Sequence, residues 1–243
     1  MSLVIDQVPT ISNGSGASVT SPSFTTTVAS EIIIAMVTSD GFFGGKPTTF
    51  TMSSNGGLTW TLLIRNNFND GTCEAWYATV STIQTNLTVT ASIGAGSSGD
   101  YCSLQIITLS GQNNSPIGTT GSTDILTASV TLSITTLANN SLVFAAFSRY
   151  ATSVNDNTST VVGSGQTKIS EGALNTNHGD GTFWRQTNTT SPAGSVTSNL
   201  TTPSTDSGNI IAFEIVAAGS IAAPTYFDHS VSQPINFNTA IAV

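Results

Sequence analysis

An internal duplication constrains this chain more than any other feature. Ser30-Glu31-Ile32-Ile33-Ile34-Ala35-Met36-Val37-Thr38-Ser39-Asp40 is answered 110 positions later by Asn140-Ser141-Leu142-Val143-Phe144-Ala145-Ala146-Phe147-Ser148-Arg149-Tyr150. Asp70-Gly71-Thr72 followed by Trp76 is answered by Asp180-Gly181-Thr182 followed by Trp184. Gly57-Leu58-Thr59-Trp60-Thr61-Leu62 is echoed by Gly165-Gln166-Thr167-Lys168-Ile169, and Leu104–Gly111 by Asn209–Val216. A repeat of this size is an architectural signal. It says much about fold and far less about chemistry.

The repeated segments read as strands. No stretch shows a 3.6-residue apolar period, whereas β-branched runs bounded by Gly, Asn and Ser recur throughout. Candidate strands are 3–8, 23–28, 31–38, 58–65, 72–80, 86–92, 101–109, 129–135, 141–149, 166–170, 182–188, 195–200 and 209–217. Ile32–Val37 and Leu142–Phe147 are unbroken apolar runs, the pattern of central strands covered on both faces. Two arrangements fit: two small sandwiches in tandem, or one sandwich to which each half supplies strands of both sheets. The second is favoured, because a half with so few aromatics makes a thin core. The expected fold is therefore all-β: a two-sheet antiparallel jelly-roll sandwich with internal pseudo-duplication. It spans 1–219, with pseudo-repeats at about 22–111 and 128–218, and the Gly111–Thr127 connection is read as a long loop. Residues 220–243 form an extended C-terminal arm carrying Tyr226, Phe227, Ile235, Phe237, Ile241 and Val243 as candidate interface residues.

Charge excludes several classes of partner. Five Lys and Arg stand against thirteen Asp and Glu, giving a net charge of −8. Lys46, Arg65, Arg149, Lys168 and Arg185 are scattered, so no basic face is expected for nucleic acid or for an anionic membrane surface. No apolar stretch is long enough for a spanning helix. Met1-Ser2-Leu3-Val4-Ile5-Asp6 lacks a basic n-region, so no signal peptide is expected.

Gly57-Leu58-Thr59-Trp60-Thr61, Gly71–Ala78, Leu87-Thr88-Val89-Thr90 and Leu109-Ser110-Gly111 together resemble a poorly characterised β-sandwich domain. That domain recurs in bacterial secreted proteins and phage virion proteins. Ser115-Pro116-Ile117-Gly118, Asn140-Ser141-Leu142-Val143, Gly163–Thr167 and Ala212-Phe213-Glu214-Ile215 continue the resemblance, which covers about 25–218. It implies that the span behaves as one unit, and it brings no catalytic residues with it. Members on the secreted side sit behind a signal peptide, so its lack here implies a virion location, with the extracellular or cell surface as the alternative.

Individual residues offer little chemistry. His178 and His229 are the only histidines, and no oriented Ser-His-Asp set is visible. Glu74 and Glu214 lie inside apolar strands and are expected to point outward or to pair with Arg65 or Arg185. Asp70, Asp100 and Asp180 are loop acids without the dense spacing of a calcium loop. Cys73 and Cys102 are a candidate disulfide, and neither stands at metal-ligand spacing. Trp60 and Tyr77 are candidate glycan-stacking aromatics, whereas Trp76 and Trp184, at matching places, are expected in the core. No catalytic residue, metal or cofactor is expected. The expected function is that of a non-enzymatic structural protein of a phage particle, a capsid decoration (cement) or tail component. It would associate with itself as a homo-oligomer and with other virion structural proteins. The alternatives are a carbohydrate-binding or adhesive module contacting surface glycans, and a subunit of an extracellular filament.

Overall fold

The computed structural model describes residues 2–39, 49–68, 71–94, 101–150, 160–172, 181–202 and 207–220. All regular structure in them is β. The first half contributes β1 (Val4–Gln7), β2 (Ser12–Ser15), β3 (Ser18–Thr20), β4 (Ile32–Ser39), β5 (Phe50–Ser54), β6 (Thr61–Asn66), β7 (Thr72–Thr79), β8 (Val89–Ile93) and β9 (Tyr101–Ser110). The second contributes β10 (Gln112–Ile125), β11 (Ser129–Thr135), β12 (Leu142–Tyr150), β13 (Val161–Val162), β14 (Gln166–Gly172), β15 (Gly181–Gln186), β16 (Ser195–Thr201) and β17 (Ser207–Ala217).

The duplication is a duplication of topology. The first half orders its large sheet β1-β9-β4-β7-β6, with β2 also on β9, and its small sheet β3-β8-β5. The second half orders them β10-β17-β12-β15-β14 and β11-β16-β13. Strand for strand these are the same path, with β10 standing where β1 and β2 stand. Registers agree as well: Ala35 pairs with Trp76 and Ile106, and Ala145 pairs with Trp184 and Ala212. Left-handed backbone recurs at matching turns, Ser30 with Asn140, Gly57 with Gly165, and Gly111 with Gly219.

The two-sheet antiparallel sandwich therefore occurs twice, and the expectation of one sandwich fed by both halves is corrected. Among the described residues every sheet is built from one half alone. The two large sheets then stack face to face, giving four layers. This explains the unbroken apolar runs. Successive side chains of a strand face opposite ways. Ile32, Ile34 and Met36 enter a central core shared with Leu142, Phe144, Ala146, Phe213 and Ile215 of the second half. Ile33, Ala35 and Val37 enter the first half's own core with Phe50, Leu87 and Leu104. Val143, Ala145 and Phe147 enter the second half's own core with Trp184 and Leu200. A strand covered on both faces has no polar side to show. The central seam includes the stacked rings of Phe144 and Phe213, 5.7 Å apart at 17°.

Two local expectations are also corrected. The supposed loop Gly111–Thr127 is the 14-residue β10, antiparallel to β17 with register shifts between Gln112 and Ile117 and between Ile117 and Thr120. β10 ends the sheet's order, and an edge strand with a bulge is where Pro116 is tolerated, because a proline has no N–H to give a neighbour. The stretch 23–28 is not a strand; it holds only the bridge Phe24↔Leu87. The arm 221–243 lies outside the described residues.

Candidate functional site

Four buried or half-buried carboxylates are the most polar features inside the sandwiches. Each of them holds backbone in place. Glu74 is fully buried on β7. Its Oε1 accepts from Arg65 Nε at 2.6 Å and from Phe50 N–H at 3.0 Å, and its Oε2 from Trp76 Nε1 at 2.7 Å. Phe50 plus 110 is Thr160, whose N–H donates to Glu171 Oε1 at 2.7 Å. Glu171 Oε2 takes Lys168 Nζ at 2.7 Å. The two halves thus meet the same backbone donor with an ion pair drawn from different positions. In the first half the cation is on β6 and the acid on β7; in the second both lie on β14.

The turn before β4 and β12 repeats the pattern. Glu31 Oε1 accepts from Thr27 N–H at 2.7 Å, Thr27 Oγ1 at 2.9 Å and Val28 N–H at 2.8 Å. The equivalent amides are Leu137 and Ala138, and there the acceptor is Glu214 of β17, at 2.9 and 3.2 Å. Glu214 also takes Thr119 N–H at 2.9 Å and the Ser141 hydroxyl. Room for it is made by Gly118, where a Cβ would fall 2.2 Å from Glu214 Oε2.

These contacts also place Glu74 and Glu214 relative to each other, which bears on whether they could act together as the two acids of a glycosidase. Glu74 faces the interior of the first sandwich and Glu214 that of the second, with both large sheets between them. Two acting carboxylates must flank one bond across roughly 5–9.5 Å, and these face away from each other. Glu214 turns inward rather than outward, corrected from the sequence expectation; Glu74 pairs with Arg65 as one of the expected alternatives. Arg185 donates instead to the carbonyls of Gln186 and Thr187, and burial pulls its pKa below the usual value.

The candidate disulfide is corrected. Neither cysteine forms one. Thr38 pairs with Cys73 on one side of β4, and Ser39 with Cys102 on the other. A strand lies between them, so their Cα atoms stand about 9–10 Å apart, beyond the reach of roughly 7 Å. Cys73 faces the central core and Cys102 the first sandwich's own core. Burial, then the neighbouring Glu74 charge, raises the Cys73 thiol pKa well above the ordinary value.

Trp60 and Tyr77, the candidate glycan-stacking aromatics, lie on different cores. Both are half-buried, Trp60 packed on the first sandwich's core and Tyr77 on the central core. Trp184 is fully buried and Trp76 partly so, on the inner faces of their sandwiches. Among the described residues the exposed aromatic is Phe68, 82% exposed. The sequence signal for it is an aromatic set among turn residues, Asn66-Asn67-Phe68-Asn69-Asp70-Gly71. Tyr226, Phe227, Ile235, Phe237, Ile241 and Val243 lie outside the described residues, as do His178, His229, Asp70, Asp100 and Asp180. Among the described residues no three His, Cys, Asp or Glu side chains gather as a metal site.

One concave feature combines open space with unmet hydrogen-bonding capacity. A trough of about 960 Å³ crosses the end of the first large sheet, where β1, β9, β4 and β7 begin or finish. Val4, Val28, Glu31, Thr79 and Gln112 line it, and Ala218 of the second half closes one side. Glu31 Oε2 and Gln112 Oε1 are buried there without partners. The signal available in sequence is Glu31 itself, an acid abutting an unbroken apolar run. Comparison with family models, curated proteins and solved structures finds no match to this chain.

Proposed function

We propose that this chain is a non-enzymatic structural subunit of a phage particle, a capsid decoration or tail component that works by subunit association. The observation that carries this reading is where the cores close. The described chain closes three cores by Ala217, and the sequence continues for 23 residues past Ser220, with Tyr226, Phe227, Ile235, Phe237, Ile241 and Val243 among them. An apolar segment at a chain end is suited to burying surface on a neighbour. The carboxylates that might have acted chemically are occupied with backbone, which supports association over catalysis. The resemblance to a virion and secreted β-sandwich domain points the same way. Partners on this reading are other copies of the chain and other virion structural proteins.

Deleting 221–243 tests it. The expected result is a chain that keeps its β circular dichroism and cooperative unfolding but no longer associates. Unchanged association after the deletion would sink the reading. A second reading, an adhesive or carbohydrate-binding module, is favoured by Phe68 alone. It predicts weak glycan binding that Phe68→Ala removes, and it falls if a glycan array shows no signal.

A further inference from the structure

We infer that the free edge of β11 (Ser129–Thr135) pairs antiparallel with the same edge of a second copy, joining their small sheets into one. This rests on the association reading above and names a surface on which two copies meet.

A sheet edge invites another strand unless charge, proline, a bulge or shortness guards it. Among the described residues the other edges are guarded. β1 has a register shift after Ile5 and contains Asp6; β6 has a shift after Leu62 and contains Arg65. β14 has a shift after Lys168 and contains Glu171, and β10 has two shifts, Pro116 and Asp124. β2, β3 and β13 have four, three and two residues. β5 uses its outward groups within the chain: Phe50 N–H donates to Glu74, and Ser54 O accepts from Gly57 N–H at 3.1 Å. β11 alone has seven residues, an unbroken register with β16, and neither a charged residue nor a proline.

The ladder to β16 fixes which groups face outward. Ala128 O accepts from Thr202 N–H, and Gly194 O from Thr136 N–H. Bonding alternates along an antiparallel strand, so the even residues bond to β16 and the N–H and C=O of Ser129, Thr131, Ser133 and Thr135 face out. Threonine hydroxyls cap the two end carbonyls, Thr127 Oγ1 on Ser129 O at 2.9 Å and Thr119 Oγ1 on Thr135 O at 2.7 Å. Thr131 and Ser133 are left for a neighbour. The outward residues are self-complementary. Antiparallel pairing about Leu132 sets Thr131 opposite Ser133 of the second copy, and Ser129 opposite Thr135. Hydroxyl pairs across strands are favourable, and no like charges meet on β11, although each chain carries a net charge of −8. On the inner side Leu132, half-buried on the second sandwich's core, meets its own counterpart. The same twofold brings Leu126, 67% exposed, close to Leu137 of the other copy, 54% exposed. A second copy thus answers the open hydrogen bonds, the charge and the flanking leucines together. So short an edge holds two copies weakly by itself; it sets how copies meet in an association that the arm strengthens.

A cysteine-pair experiment on full-length chains tests the pairing. One chain carries Thr131→Cys and another Ser133→Cys; they are mixed with oxidised glutathione. The native Cys73 and Cys102 are buried and stay out of the reaction. Directly opposed residues stand about 5.5 Å apart between Cα atoms, within disulfide reach. The expected product is a mixed disulfide dimer, in excess of what either chain forms with itself. Little is expected when Thr197→Cys, opposite Ser133 on the inner strand β16, replaces Ser133→Cys. In parallel, sedimentation compares full-length variants. Thr131→Pro removes an outward N–H and no bond to β16, and Thr131→Lys sets like charges across the twofold. Each should weaken association at least tenfold, and Thr197→Lys should not; the lysine variant carries the test if the proline disturbs the strand. Equal cross-linking from 133 and 197, or normal association of the Thr131→Lys chain, overturns the pairing. Arm-dependent association indifferent to Thr131→Lys leaves the association reading standing and removes this edge alone. Association that survives deletion of 221–243 but not Thr131→Lys keeps the edge and removes the arm. A chain that stays monomeric throughout removes both.

Discussion

The two halves share a backbone and differ in how they hold it. Thr27 and Val28 in the first, and Leu137 and Ala138 in the second, present the same pair of amides at the same turn. Glu31, four and three residues away in sequence, takes the first pair; Glu214, on the last strand, takes the second. Where Glu214 stands, the first half has Thr108; where Glu31 stands, the second has Ser141. The ion pairs at Phe50 and Thr160 are redistributed in the same manner. Duplication preserved the donors, because a buried N–H must find an acceptor in any strand path like this one. Which residue supplies the acceptor was free to move. The difference has a consequence: Glu214 is met on both oxygens, whereas Glu31, which lines the trough, keeps one buried oxygen unpartnered.

The largest expected effect breaks this comparison. Glu214→Ala strands the amides of Thr119, Leu137 and Ala138 and should cost about 3–5 kcal/mol, whereas Glu31→Ala should cost about 1–3. Chemical denaturation measures both, and equal costs would contradict the asymmetry. Gly118→Ala comes next, since its Cβ collides with the Glu214 carboxylate; about 2–4 kcal/mol is expected, and the Glu214→Ala background should relieve much of it. Coupling between the two substitutions below about 0.5 kcal/mol would show that the close approach is not what matters.

A third contrast lies across the central core, where Cys73 occupies the place of Gly181. Its folded pKa is raised by burial and by Glu74. Stability from this group is complete below the unfolded thiol pKa of about 8.5 and falls as pH rises above it, by at most about 1.4 kcal/mol per pH unit. Between about pH 8.5 and 9.5 the wild type should lose stability faster than Cys73→Ala; parallel pH profiles would refute this. The smallest effect concerns Ser30 and Asn140, at φ 65° and 59°. Asn tolerates this conformation better than Ser, so Ser30→Gly should stabilise by about 0.5–1 kcal/mol and Asn140→Gly by less, read as a shift in Tm.

Much of the fold was legible because duplication and apolar runs are long-range signals. Ile32–Val37 and Leu142–Phe147 announced strands covered on both faces, and the matched Trp76 and Trp184 announced a shared position. The error was in assigning what covered them. An apolar run says that both faces are buried, and it does not say whether the second layer comes from its own half or the other. The strand Gln112–Ile125 escaped notice because Pro116, Gly118 and Gly121 mimic a linker, when the proline sits at an edge and Gly118 makes way for a carboxylate. The buried partners of Glu74 and Glu214 were out of reach, since the donors to Glu214 lie up to 95 residues away in the chain. Alternation along β7 says that Trp76 and Tyr77 face opposite ways, and with a layer stacked on each face both become half-buried.

The association account is tested most directly by sedimentation of the full-length chain from nanomolar to tens of micromolar. The account predicts a mass that rises from 24.9 kDa to a multiple of it, and a chain ending at Ser220 that stays at one copy. A full-length chain that sediments as a single copy across the whole range would contradict it.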